Sequence, residues 1–270
     1  MKVADLKPEA NVAVIGDTGT GKTYLVGTLC QLFPTVVISA DKAGLDTLVK
    51  MKVEAEIIVI ADWRNVWDSF KEVEKLLKGS YRAVAVDDFG AVQEVLKRKT
   101  SMQPKGQNES SMRSDQRVEQ FRRGLMQGDR RLQLRDFGEI TSATEAFLYE
   151  FKQLKADFRM ITLLEELREH PRTGEEYLYP DLVGASRYNV LAQFSLVVNS
   201  FKDYHNEQTS FCITSLPHPR IPTKDRLGVP RTWASPTAAK LLLHVAGKEG
   251  PQDVETEQER RIGTGLVKQP

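Results

Sequence analysis

The chain has 270 residues, is 40% hydrophobic and carries 38 Lys and Arg against 37 Asp and Glu, which excludes a disordered polyelectrolyte and a globally basic nucleic-acid coat. Its 18 glycines and 12 prolines exclude a collagen-like chain, and its length is enough to bury a core without staples. Cys30 and Cys212 cannot build a disulfide framework, and no Cys/His pair has the spacing of zinc ligands.

Asn11–Ile15 (NVAVI) reads as a buried strand, followed by a helix from about Lys22 to Leu32. Thr35–Ser39 (TVVIS) and Glu56–Ala61 (EIIVIA) are β-branched strand runs. Between the latter and the next strand, Val66, Trp67, Phe70, Val73, Leu76 and Leu77 recur at helical spacing, predicting a helix over Val66–Leu77. Arg82–Asp88 (RAVAVDD) is a strand ending on carboxylates, and Arg159–Leu164, Phe194–Val198 and Ser210–Thr214 supply later strands. Strands alternating with helices predict an α/β fold, a mainly parallel sheet with helices on both faces. Residues 97–135 hold eleven cations against four carboxylates, with a polar, aperiodic middle that predicts a mobile basic insert. From residue 247 the chain is rich in Gly, Glu and Gln and reads as a tail, leaving 1–246 as one domain. No secretory core occupies residues 1–20 and no run reaches 18 apolar residues, so a cytoplasmic protein without a membrane partner is expected.

Gly16-Asp17-Thr18-Gly19-Thr20-Gly21-Lys22-Thr23 matches GxxxxGK[ST] in full, between a predicted strand and a predicted helix. Glycines let the backbone curl so that successive N–H groups face phosphate oxygens, and the helix aims its positive end at the same anion. Lys22 is expected on the β- and γ-phosphates and Thr23 on Mg²⁺, making ATP and magnesium the expected ligands. Asp87, at the end of the apolar run Ala83–Val86, is the expected second metal carboxylate. Asp88 would face away if that strand continued, and is left as a water-orienting partner. Hydrolysis needs a group that orients water, and Asp41, Glu165 and Glu166 each follow a strand where they could supply one. The histidines form no triad or metal motif, Cys30 reads as a buried apolar residue, and Trp63, Trp67 and Trp233 read as packing.

The loop GDTGTGKT, the strand end VISAD, the strand AVAVDD and the late segment KDRLG occur in that order. Over roughly residues 10–245 this resembles the phage-encoded RecA-like P-loop ATPases that accompany single-strand annealing and recombination. Lys224-Asp225-Arg226-Leu227-Gly228 is similar to the KNRFG motif of RadA, with Asn and Phe replaced. The resemblance implies that Lys224 and Arg226 act across a subunit interface on a neighbour's γ-phosphate, a device that can contribute about 10³ to 10⁵ in rate. It also implies a homo-oligomer, a host-cytoplasmic location, and a water-activating role for Asp41, where the relatives carry a glutamate. Single-stranded DNA is the implied partner, with a single-strand-binding or annealing protein beside it. Arg113, Arg117, Arg122 and Arg123 of the basic insert are the expected phosphate contacts. Two other readings remain at this stage: a P-loop kinase whose basic insert serves as a lid, and a non-catalytic nucleotide switch for a protein partner.

Overall fold

A computed structural model describes residues 10–102, 134–169, 174–205, 208–226 and 230–247. The elements are β1 (Ala10–Gly16), α1 (Lys22–Leu32), β2 (Thr35–Ser39), α2 (Asp46–Lys50), β3 (Ala55–Val59), α3 (Val66–Leu77), β4 (Ala83–Asp87), α4 (Phe89–Met102), α5 (Leu134–Gln153), β5 (Phe158–Glu169), β6 (Glu176–Pro180), α6 (Ser186–Asn189), β7 (Leu196–His205), β8 (Gln208–Thr214), β9 (Lys224–Asp225), β10 (Thr232–Ala234) and α7 (Ala238–Val245).

The sheet order is β10-β8-β7-β1-β5-β4-β2-β3, with β6 paired to β5 and β9 to β7. The six strands from β7 to β3 are parallel, while β6, β8 and β9 run antiparallel to their partners. Period-two alternation explains why both faces are covered. Ala13, Ile15, Val36, Ile38, Val84, Val86, Ile161 and Leu163 point to one face, where Val66 and Phe70 of α3, Phe89 and Val92 of α4, and Phe147 and Phe151 of α5 cover them. Val12, Val14, Val37, Ala83, Ala85, Met160 and Val198 point to the other, under Leu25, Val26 and Leu29 of α1 and Leu241 and Leu242 of α7. Each fully buried aliphatic or aromatic side chain contributes about 1.5–3 kcal/mol relative to exposure. The fold is therefore α/β, a mainly parallel sheet with helices on both faces.

Three of the expected strands are longer than their apolar runs. β5 continues from Leu164 to Glu169 because β6 pairs with its far end, from Glu165↔Pro180 to Glu169↔Glu176. β7 and β8 extend through Lys202↔Phe211 to His205↔Gln208 as a hairpin beyond the layered core. In both places cross-strand hydrogen bonding carries the strand past the end of the hydrophobic signal.

The basic insert needs a correction at both ends. Its first residues lie in α4, where Phe89, Val92, Val95 and Leu96 form one buried stripe and Lys97 pairs with Glu94 on the solvent side at 3.1 Å. Its last two residues open α5, whose Ile140, Phe147, Leu148 and Phe151 are buried. Residues 103–133, with Arg113, Arg117, Arg122 and Arg123, lie outside the described residues, as does the tail from residue 248. Among the described residues, no helix is long and apolar enough to cross a membrane.

Candidate functional site

Parallel strands end together, so the loops after β1, β2 and β4 meet beside the extension of β5 past Leu164 at one edge of the sheet, where α/β proteins place ligands. Gly16 closes β1 between Leu164 of β5 and Ser200 of β7. A Cβ on Gly16 would lie 2.2 Å from Ser200 Oγ and 2.3 Å from the Ser200 carbonyl oxygen, so the loop leaves the sheet through a gap that only glycine fits. Gly19 and Gly21 have φ of 74° and 90°, and Gly21 caps the N-terminus of α1 in the left-handed conformation. Thr20 Oγ1 lies 2.7 Å from Ser200 Oγ, fastening the loop to β7.

Gly16→Ala should therefore destabilise the protein by about 2–3 kcal/mol, because the methyl must push β1 and β7 apart. Gly138 on α5 is the control: a Cβ there meets nothing within 4 Å. Its replacement by Ala should be neutral or stabilising by up to about 1 kcal/mol, as helix propensity requires. Urea denaturation of the two variants checks the contrast.

Lys22 opens α1 and folds its ammonium back over the loop, donating to the Gly16 carbonyl at 2.8 Å and the Asp17 carbonyl at 2.7 Å. Burial lowers its pKa, opposed by the charges of Asp88, Glu165, Asp87 and Asp17 in that order. Thr23, one residue on, donates from Oγ1 to Asp87 Oδ1 at 3.3 Å. The same Asp87 oxygen accepts from Thr162 Oγ1 at 2.9 Å. Asp87 is 4% exposed, and burial raises its pKa despite the Thr162 and Thr23 hydrogen bonds. A carboxylate and a hydroxyl meeting at the end of the P-loop form an oxygen donor set suited to a hard divalent cation.

Asp88 corrects a simple expectation. β4 stops at Asp87, and Asp88 takes a left-handed φ of 60°. Its carboxylate does not continue the alternation: it caps α4 by accepting from the Ala91 N–H at 3.3 Å, and it is the largest charge acting on Lys22. A non-glycine residue at positive φ beside a ligand site is a form of local strain often found where function holds the backbone. Thr162 fixes this turn, since its Oγ1 also accepts from the Asp88 N–H at 2.7 Å. The sequence reading missed Thr162. A polar residue inside the apolar strand RMITLL was the available signal.

The other acidic candidates separate. Glu165, just past the β5 apolar run, accepts from Asn199 Nδ2 at 2.7 Å, and its pKa is raised by burial and set further by Asn199, Asp17 and Lys22. It faces the loop. Asp41 uses both carboxylate oxygens on its own turn, accepting from the Ala43 N–H at 2.9 Å and the Gly44 N–H at 3.2 Å. Glu166 pairs with Arg168 on the exposed β5–β6 hairpin at 2.5 Å.

Lys224 and Arg226 lie at the other end of the strands. β9 pairs with β7 at Leu196 and Val197, and the Arg226 N–H donates to the Ser195 carbonyl. Five residues of β7 separate Ser195 from Ser200 beside the loop, roughly 16 Å at about 3.3 Å per residue. Within one chain neither cation meets the P-loop. Lys224 Nζ donates to the Ala192 carbonyl at 3.1 Å, whereas Arg226 is exposed. Between them, the Asp225 carboxylate is buried against His244 Nε2 at 2.6 Å and accepts from Ser215 Oγ at 3.2 Å. Asp225 and His244 anchor the segment, a role the sequence did not show.

A glycine-rich loop leaving the end of a central parallel strand, with a hydroxyl and a carboxylate meeting beside its lysine, is the architecture of a P-loop nucleotide site. No family model matches the chain. No curated protein matches it either. Among solved structures, it is similar to the KaiC-like protein PH0186 from the hyperthermophilic archaeon Pyrococcus horikoshii OT3, at 9% identity and a TM-score of 0.38, over 83% of this chain and 84% of that one.

Proposed function

We propose that the chain is a RecA-like P-loop ATPase that binds Mg·ATP and acts on single-stranded DNA as an oligomer, in recombination, annealing or repair. The observation that carries the nucleotide reading is the meeting of Lys22 and Thr23 of α1 with Asp87 of β4 at the mouth of the loop. Thr23 and Asp87 would hold the magnesium, which when bound neutralises phosphate charge and orients the phosphate chain. The loop N–H groups and Lys22 bind the phosphates, and Glu165 and Asp88 are the carboxylates best placed to accept a proton from water. Asp41 has a weaker claim, because its oxygens already cap a turn. Arg226, exposed and far from its own loop, suits a role on a neighbour's nucleotide; Lys224 is tied to carbonyls of its own chain. The DNA reading rests on the basic stretch and on the resemblance of GDTGTGKT and KDRLG to the RecA-like group.

The test is ATP hydrolysis with and without single-stranded oligonucleotide at low and physiological salt. Stimulation by DNA that weakens as salt rises is the expected result, since phosphate contacts release counterions. In the same assay Arg226→Ala should leave ATP binding intact and lower turnover. Binding without turnover under every condition would make the chain a switch. Phosphate transfer to a small acceptor, with no response to DNA, would make it a kinase.

A further inference from the structure

The β7–β8 hairpin brings a second lysine to the loop. Ser200 and Lys202 share one face of β7, two residues apart, and Phe211 of β8 stands opposite Lys202. Ser200 holds Thr20, and the ring of Phe211 packs under the N-terminus of α1, 3.2 Å from where a Gly21 Cβ would lie. Lys202 Nζ ends 3.4 Å from where a Gly19 Cβ would lie, over the middle of the phosphate-binding loop. Among the described residues, no carboxylate or carbonyl holds that ammonium.

Three carboxylates of the site lie elsewhere, Glu165 on the β5 side of β1 and Asp87 and Asp88 at the end of β4, while Asp17, on the loop itself, accepts from the Thr18 N–H at 2.6 Å and forms no ion pair with Lys202. Lys202 therefore stands over the loop that leads into the N-terminus of α1 and that the Lys22 ammonium also crosses. Two ammonium groups and the positive end of one helix at a single loop outnumber the one Asp17 carboxylate there, which favours an anion between them. The Ser200–Thr20 contact fixes the strand of Lys202 beside the loop, so the base of the Lys202 side chain is held within reach of the phosphates.

We propose that Lys202 is a phosphate-binding residue acting within its own subunit: a second ammonium that closes over the phosphate chain of a nucleoside di- or triphosphate held by the P-loop. This rests on the nucleotide reading above and adds a residue outside the P-loop and the KDRLG segment. Because its contribution is a charge on the phosphate chain, it should grow with the number of phosphates and shrink with salt.

The experiment is calorimetric titration of Mg·ATP, Mg·ADP and AMP into the full chain, as wild type, Lys202→Gln, Lys202→Arg and Lys22→Ala, at two salt concentrations. Lys202→Gln should weaken ATP binding about tenfold at low salt, the scale of one charge-assisted hydrogen bond, and ADP binding less. AMP binding should not change, and Lys202→Arg should recover most of the ATP affinity. Lys202→Gln binding ATP within twofold of wild type, while Lys22→Ala does not bind, overturns this proposal and leaves the nucleotide reading standing. Equal weakening of ATP and AMP also overturns it, because that result belongs to hairpin packing rather than to charge. A wild type that binds no nucleotide overturns both. Unchanged melting of the ligand-free Lys202→Gln protein guards against a folding artefact, and if it melts lower, Lys202→Arg against wild type decides the same question.

Discussion

Lys22→Ala is expected to raise the Kd for Mg·ATP by about 100-fold or more and to bring hydrolysis to background. The ammonium donates to the Gly16 and Asp17 carbonyls, so it is already folded over the loop rather than extended into solvent. Hydrogen bonds to a charged group are each about 1.5–3 kcal/mol, and a phosphate chain can take more than one from the same ammonium. Turnover falls further than binding because charge on the transferring group is greatest in the transition state. Lys22→Arg should fail almost as badly: the planar guanidinium cannot occupy a pocket shaped for a compact ammonium between two carbonyls. A Lys22→Arg protein with near-normal affinity would show that charge alone suffices.

The same substitution has a signature in the ligand-free protein. Asp88, Glu165, Asp87 and Asp17 all act on Lys22, and burial already raises the pKa of the first three. Without the ammonium those carboxylates rise further. Their folded state then binds more protons than the unfolded state, so the cost is full above the folded pKa values and disappears as pH falls below the unfolded ones. The stability gap between wild type and Lys22→Ala should therefore narrow as pH is lowered through the acid range, as read by chemical denaturation at a series of pH values.

The parts of the site written as local pattern were legible. GDTGTGKT declares its glycines, lysine and threonine in one run, and Asp87 is marked by the end of an apolar strand. α1 and α3 emerge from their periodicity, with Val66, Phe70 and Val73 buried as their spacing requires. What was not legible depends on strands distant in sequence. Thr162 reaches Asp87 from 75 positions away, and Ser200 reaches Thr20 from 180. No short window contains those pairings. The helix α4 was hidden for another reason: its stripe of Phe89, Val92, Val95 and Leu96 is short and runs straight into Lys97, Arg98 and Lys99, where the apolar period stops although the helix does not. In KDRLG one of the two departures from the RadA-like pattern, Asp225, has its carboxylate buried against His244.

Asp87→Asn is expected to abolish magnesium-dependent hydrolysis while making the ligand-free protein more stable at neutral pH. The carboxylate is almost wholly buried, and the two hydroxyls that donate to its Oδ1 only partly offset the loss of hydration. An asparagine oxygen accepts from the same two hydroxyls without a charge to desolvate. The gain should be on the order of 1 kcal/mol, because removing Asp87 also removes one counter-charge from Lys22, leaving Asp88 and Glu165. The sign with pH follows. The folded pKa of Asp87 stands above its ordinary value of 3.8, so the folded wild type binds more protons than the unfolded chain between those two values. Wild-type stability gains from this group as pH falls, and the advantage of the asparagine variant shrinks in the same window. The metal arm is independent of turnover. In wild type with ADP, adding Mg²⁺ should raise the melting temperature and EDTA should reverse it, whereas the variant should respond to neither. A variant that is less stable than wild type at neutral pH would show that the Asp87 charge is a net structural partner of Lys22. A variant that still gains stability from Mg²⁺ with ADP would remove Asp87 from the metal site.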